Sequence, residues 1–283
     1  MERTPSGCPN DEDQLSAITA NLDDHFIGPR LRKFTRLLLA VCSSIPWLGG
    51  FLSAAAAWDS EKDQTRVNEL HRLWLKEHKE KLDKMLQAVA EIIERLEGLG
   101  EEIQERIESP EFLALVKRGF RSWDQADTDE KRKLIGTLLS NAGASKLCHD
   151  DLIRLFIDWI DRYHEAHFRV IRKIYNNPGV TRGQIWDSIS DERPQEDSAA
   201  ADLFKLLVRD LSAGGVIRQF RPTDGKGRFW KNQTKGPSTA RSSYMKSAFD
   251  DREPYELTEL GRQFVHYSMN EVVPRIGTEG EDQ

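Results

Sequence analysis

A chain of 283 residues is long enough for two ordinary domains, and at 31% charged with a mean hydropathy of -0.61 it suits long exposed helices. Three widely spaced cysteines, Cys8, Cys42 and Cys148, exclude a disulfide framework and a C-x-x-C metal knuckle, so a reducing cytosol is expected. The net charge of -6 is uneven: residues 1–160 hold 22 basic and 28 acidic side chains, residues 161–275 hold 19 and 16, and the last eight residues add three acids.

The opening MERTPSGCPNDEDQ is acidic and polar, unlike a secretory leader, and residues 1–22 read as a disordered tail. A helical domain is expected over residues 23–158. Its first feature is LLLAVCSSIPWLGGFLSAAAAW, residues 37–58, with 22 residues and no charge. That length meets the requirement for crossing a bilayer. Pro46 and Gly49-Gly50 break it at the centre, however, and three serines and five alanines lower its hydrophobicity. The basic flank Arg30 to Arg36 precedes it, so positive-inside orientation would export everything after residue 58. A buried helical hairpin turning over Ile45, Trp47, Leu48, Gly49, Gly50 and Phe51 resolves that conflict. The same residues would form the tip of an inserting hairpin.

A long amphipathic helix, or a helical hairpin weakest at Gly98 and Gly100, is predicted over residues 61–108. Leu75, His78, Leu82, Met85, Val89, Ile92, Leu96, Leu99 and Ile103 recur three and four apart, as in a heptad seam. That seam serves either an intramolecular bundle or a homodimer through residues 67–107. Ser109-Pro110-Glu111 is a helix start, with a Ser N-cap and Pro at the first helical position. Thr128-Asp129-Glu130 starts the next helix, and His149-Asp150-Asp151 opens a third that is expected to run on to Asn177.

Residues 159–272 read as a second domain, and 273–283 as an acidic tail. HFRVIRKIYNN is helical up to Pro178; TRGQIWDSI is a short helix capped by Thr181; SAAADLFKLLVRDLSAGG is a third, capped at Asp197 or Ser198. GGVIRQF then becomes a strand, a Gly-rich basic segment follows, and YELTELGRQFVHYS gives a strand and a last helix. TRGQIWDSI, the GGVI helix exit and YELTELG together resemble the winged helix-turn-helix domain of bacterial transcription regulators, over about 105 residues. The expected fold class is therefore mainly α: an N-terminal helical bundle or coiled coil with an apolar hairpin, followed by an α+β winged helix-turn-helix domain.

Winged helices also serve as protein-binding modules, so function rests on the site. From Arg218 to Phe249 stand eight basic residues against one acid, with Phe220, Phe229, Trp230 and Tyr244 interleaved. Clustered Lys and Arg neutralise phosphates, and a Gly-rich wing can lay them along a backbone. The candidate nucleic-acid contacts are Lys205 and Arg209 on the third helix, and Arg218, Arg221, Lys226, Arg228, Trp230, Lys231, Lys235 and Arg241 beyond it. In the third helix Leu203, Phe204, Leu206, Leu207 and Leu211 are assigned to the core. With Asp202 and Asp210 outward and no Asn or Gln, phosphate contact is favoured over base readout. The acidic SDERPQED insertion also makes the helix-to-helix turn longer than usual.

His164-Glu165-Ala166-His167 lacks the H-E-x-x-H spacing of a zinc protease, and GKGRF lacks that of a P-loop. No metal, cofactor or catalytic residue is expected. The leading expectation is a non-enzymatic, cytoplasmic nucleic-acid-binding protein with a helical partner or dimerisation domain. The alternative is a membrane-acting bacterial toxin or antiviral effector that releases its apolar hairpin and associates conditionally with the inner membrane. Its winged helix would then sense or dock a protein partner.

Overall fold

The computed structural model describes residues 35–50, 67–97, 102–144, 148–190, 192–221, 247–251 and 253–269. They are mainly helical, with one small antiparallel sheet, and the chain divides into two compact units, residues 1–161 with 274–283 and residues 162–273. The boundary thus falls three residues after the expected 158. Residues 1–22 and 273–283, and the hairpin's second arm with Phe51, lie outside the described residues.

In the first unit α1 (Thr35–Ser44), α2 (Val67–Glu97), α3 (Glu102–Glu108), α4 (Pro110–Gln125), α5 (Asp129–Ala144) and α6 (Asp150–Arg162, its last residue in the second unit) follow in order. The long amphipathic prediction thus resolves into α2 and α3, with Gly98 and Gly100 outside the described residues. Packing runs α1 on α4, α4 on α5 and α5 on α2. In the seam of α2, Leu82, Met85, Val89, Ile92 and Leu96 are all buried, and Leu86 and Ile93 widen it into a stripe. The close approach of α5 depends on missing side chains. A Cβ on Gly143 would stand 2.9 Å from both Leu96 and Phe112, and one on Gly119 would stand 2.8 Å from Leu139. Helix α4 begins as its sequence specifies, the Ser109 hydroxyl accepting the Phe112 amide at 3.3 Å behind Pro110.

The apolar stretch is packed into this unit as far as it is described. Leu37, Ala40, Val41, Ile45 and Leu48 are buried at helical spacing. Cys42 is buried with them, and that burial pushes its thiol up to about 11, which keeps it inert. The chain turns at Pro46-Trp47 and is helical again over 48–50. Trp47 is held in place: its Nε1 donates to Asp124 Oδ1 at 2.8 Å, and Lys81 Nζ meets the same oxygen at 2.6 Å. The ring of His78 stands edge-on to Trp47, with centroids 4.8 Å apart. Gly49 and Gly50 are exposed. Among the described residues no helix is long and apolar enough to cross a membrane.

Polar anchors fasten α6. Arg106 grips Asp150 through both guanidinium nitrogens, Arg118 pairs with Asp158, and Ser122 donates to Asp161 at 2.7 Å. Lys131, only 6% exposed, pairs with Asp127 at 3.1 Å and donates to the Asp161 carbonyl at 3.3 Å.

The helix expected to run unbroken from residue 149 to 177 is two helices, α6 and α7 (Glu165–Asn176). The break carries neither Pro nor Gly. At the break His167 Nδ1 turns back to accept the His164 amide at 3.1 Å, so a histidine serves where a capping box usually has Glu or Gln. Tyr163 stacks on His167 at 5.0 Å and is buried against Gly214, where a Cβ would lie 2.0 Å from its hydroxyl.

The second unit continues with β1 (Val180–Thr181), α8 (Arg182–Trp186), α9 (Ala199–Ala213), β2 (Ile217–Gln219), β3 (Pro254–Leu257) and α10 (Glu259–Ser268). The strand order is β1-β3-β2, all antiparallel, with Val180 opposite Tyr255 and Ile217 opposite Leu257. Gly179 and Gly215, at φ 86° and 76°, make the turns into β1 and β2 that an L side chain would strain. Thr181 and Gln184 form a reciprocal capping box for α8, and Ser198 caps α9 through the Ala201 amide. Thr258 caps α10 and also donates to the Gly215 carbonyl at 2.6 Å, tying α10 to the start of β2.

That junction leaves no room at Gly261, where a Cβ would sit 2.1 Å from the Val216 carbonyl oxygen. The obstacle is backbone and cannot rotate away. Gly261→Ala is expected to cost about 1–3 kcal/mol, as overpacking does, and urea denaturation of the variant measures it.

Candidate nucleic-acid interface

Helix α9 presents two different surfaces. Ala201, Phe204, Leu207, Val208 and Leu211 are buried and fill the apolar stripe. Leu203 and Leu206, assigned to the core from sequence, are instead 54% and 39% exposed. The five buried side chains already span the core-facing arc, and at 3.6 residues per turn positions 203 and 206 fall on the far side.

Beside this helix four arginines line one cleft. Arg182 from the start of α8, Arg209 from α9, and Arg218 and Arg221 from β2 and its exit share it with Ser212, Ile217, Gln219 and Tyr255, and among the described residues no carboxylate lines it. Arg182 is fixed by its Nε donating to the Tyr255 hydroxyl at 2.8 Å while its guanidinium lies over that ring, 5.4 Å from the centroid. Arg218 reaches Glu256 at 2.7 Å, so part of its charge is answered. Arg209 is 75% exposed, with only a 3.9 Å approach to Asp210, and Arg221 is exposed with no ion pair among the described residues. Planar guanidinium forks of this kind match phosphate oxygens pairwise.

Of the sequence-selected contacts, Arg209, Arg218 and Arg221 are brought together here. Lys205 is not among them: its ammonium lies 3.1 Å from the Glu196 carbonyl and 3.5 Å from Asp202. Lys226, Arg228, Trp230, Lys231, Lys235 and Arg241 lie outside the described residues. Arg182 was missed because it is 27 residues before Arg209 in sequence, and only the pairing of β1 with β3 brings it to the cleft.

Part of the acidic insertion between α8 and α9 is tied down within its own unit. Arg193 holds Asp187 through two bonds of 2.9 Å and touches Asp251 at 3.4 Å, and its hydrogen bond keeps the Asp187 carboxyl below the usual range. Glu196 accepts from the Ser247 hydroxyl and from the Ala248 amide at 2.9 Å, and these two donors hold its carboxyl low as well. The insertion is thereby stapled to residues 247–251, and the aromatic cluster Trp186, Phe204 and Phe249 closes underneath. A Cβ on Gly183 would fall 2.2 Å from Asp251 Oδ1, so this staple also needs a glycine there.

Among the described residues no group of three or more His, Cys, Asp or Glu side chains is placed to hold a metal ion. His167, half of the His164/His167 pair, is the helix cap described above. Comparison with protein-family models, curated proteins and solved structures finds no significant match to this chain.

Proposed function

We propose that residues 162–273 are a winged helix-turn-helix that binds nucleic acid chiefly through its phosphates, carried by a helical partner domain. The order α7, β1, α8, α9, β2, β3, with the basic segment 222–246 between β2 and β3, is what supports the winged-helix reading. The observation that carries the function is the convergence of Arg182, Arg209, Arg218 and Arg221 on one cleft that no carboxylate lines among the described residues. The cleft includes Arg221, the last described residue before the basic segment, and cations of both would neutralise phosphates and release their counterions. The outward face of α9 offers Leu203, Leu206, Asp202 and Asp210 beside a single Arg209, and has no Asn or Gln to read adenine. Recognition is therefore of the backbone, with little dependence on sequence.

Arg209 and Arg221 are the clean test, because neither supports a buried neighbour. Arg209→Ala with Arg221→Ala should lower duplex affinity alike for unrelated sequences. The slope of log K against log salt should fall by about two, near 0.9 for each phosphate that is no longer neutralised. Arg228→Ala, Lys231→Ala and Lys235→Ala together should reduce it further. Fluorescence anisotropy at several salt concentrations measures both. An unchanged affinity and slope would remove this cleft from the function.

A further inference from the structure

Among the described residues, the leucines on the outward face of α9 stay exposed. Six large apolar side chains are exposed among the described residues, and two of them, Leu203 and Leu206, stand one turn apart on this helix. A solvent-facing leucine pair on a rigid, capped helix is a contact surface in search of an apolar partner. The charges around it say which partner. Asp202, 71% exposed, and Arg209, 75% exposed, are two turns apart, so they lie along the same flank of the stripe, about 10.5 Å apart along the axis.

We propose that this face binds a second copy of the chain, α9 against α9 in antiparallel array about a two-fold axis near residues 205 and 206. A two-fold axis at right angles to the helices reverses their direction and keeps each flank beside its own copy. Asp202 of one protomer then meets Arg209 of its partner, and the same pair repeats on the other side of the axis. Leu206 sits on the axis and packs on its own copy, with the two Leu203 side chains beside it. An isologous contact demands such self-complementarity, and on the flank that carries them Asp202 and Arg209, two turns apart around a central leucine, supply it. Ala199 and Ala213 at the two ends are small enough for the helices to lie close. One helix pair covers less than the roughly 800 Å² per partner of a standard interface, so this dimer is weak and concentration-dependent.

The inference stands on its own observation and shares only Arg209 with the arginine cleft. Sedimentation of the full chain from about 1 to about 200 µM should show a monomer–dimer equilibrium. Leu206→Asp is expected to weaken it at least about tenfold while leaving the melting temperature unchanged, since the side chain is exposed. Asp202→Arg or Arg209→Asp alone should weaken it several-fold, because each sets like charges face to face across the axis. The double reversal Asp202→Arg with Arg209→Asp should return it to within about twofold of the parent, since it rebuilds both pairs with their signs exchanged. A chain monomeric throughout, a dimer indifferent to Leu206→Asp, or a double reversal no better than the single ones would each overturn the proposal. Arg221→Ala, which leaves the α9 face untouched, should lower nucleic-acid affinity without moving the monomer–dimer equilibrium, so the two proposals fail separately.

Discussion

Val89→Asp should unfold the first unit and leave no folded monomer. Val89 is fully buried midway along α2, between Met85 and Ile92, in a stripe that closes on α5 of the same chain. The substitution removes about 1.5–3 kcal/mol of apolar burial and places a carboxyl where the neighbouring side chains are Met, Leu and Ile. No arginine or lysine in the stripe can answer it, so the group must either carry an unpaired buried charge or take up a proton. The sum is expected to exceed about 4 kcal/mol, a large share of the 5–15 kcal/mol that holds an ordinary domain together. Leu82→Asp, at 7% exposure nearer the edge of the stripe, should cost less. The loss of helical ellipticity on heating and the urea midpoint measure both. A seam shared between protomers would behave differently, converting a dimer into a stable monomer. Folded, monomeric Val89→Asp would therefore place the partner of α2 in another chain.

Elements of both units could be read from the sequence where the signal was local. The three-and-four spacing from Leu82 to Leu96 is a property of one helix, and Ser109-Pro110 and Thr181…Gln184 are caps completed within three residues. Features that depend on distant residues were not legible in the same way. At the α6–α7 break His167 supplies an imidazole cap that breaker rules based on Pro and Gly do not contain. Leu203 and Leu206 were assigned to the core because leucines usually belong there, whereas the buried arc of α9 was already filled by Phe204, Leu207, Val208 and Leu211. Arg182 joins Arg209, Arg218 and Arg221 only through strand pairing. The partner of Lys205 was equally hidden, since Glu196 belongs to the acidic insertion and is committed to Ser247, Ala248 and Lys205. Charge counting along the sequence identified the basic half of the molecule, but which cations remain available to a phosphate is decided by these ion pairs.

Two neighbouring substitutions at the turn of the apolar stretch should have opposite outcomes. Leu48 is 2% exposed, and Leu48→Lys removes its packing and puts an ammonium beside Ile45 and the Trp47 turn. Even if the long side chain bends out to water, the cost is expected at about 3–5 kcal/mol, in the range of large core deletions. One residue on, Gly49 has an ordinary negative φ, and a Cβ there would meet no heavy atom within 4 Å. Gly49→Asp should therefore stay within about 0.5 kcal/mol of the parent. Thermal melts separate the pair directly. The same two variants test whether the stretch ever leaves the protein. Insertion would have to withdraw Trp47 from Asp124 and Lys81 and carry Gly49 into hydrocarbon, where a new carboxylate costs several kcal/mol. A chain that keeps this turn docked leaves anionic vesicles intact, with or without Asp at 49. If instead the parent releases a vesicle dye and Gly49→Asp, equally stable, does not, the turn is a membrane probe. The buried state of Leu48 would then be the resting half of a switch, with the Trp47–Asp124–Lys81 contacts as its latch.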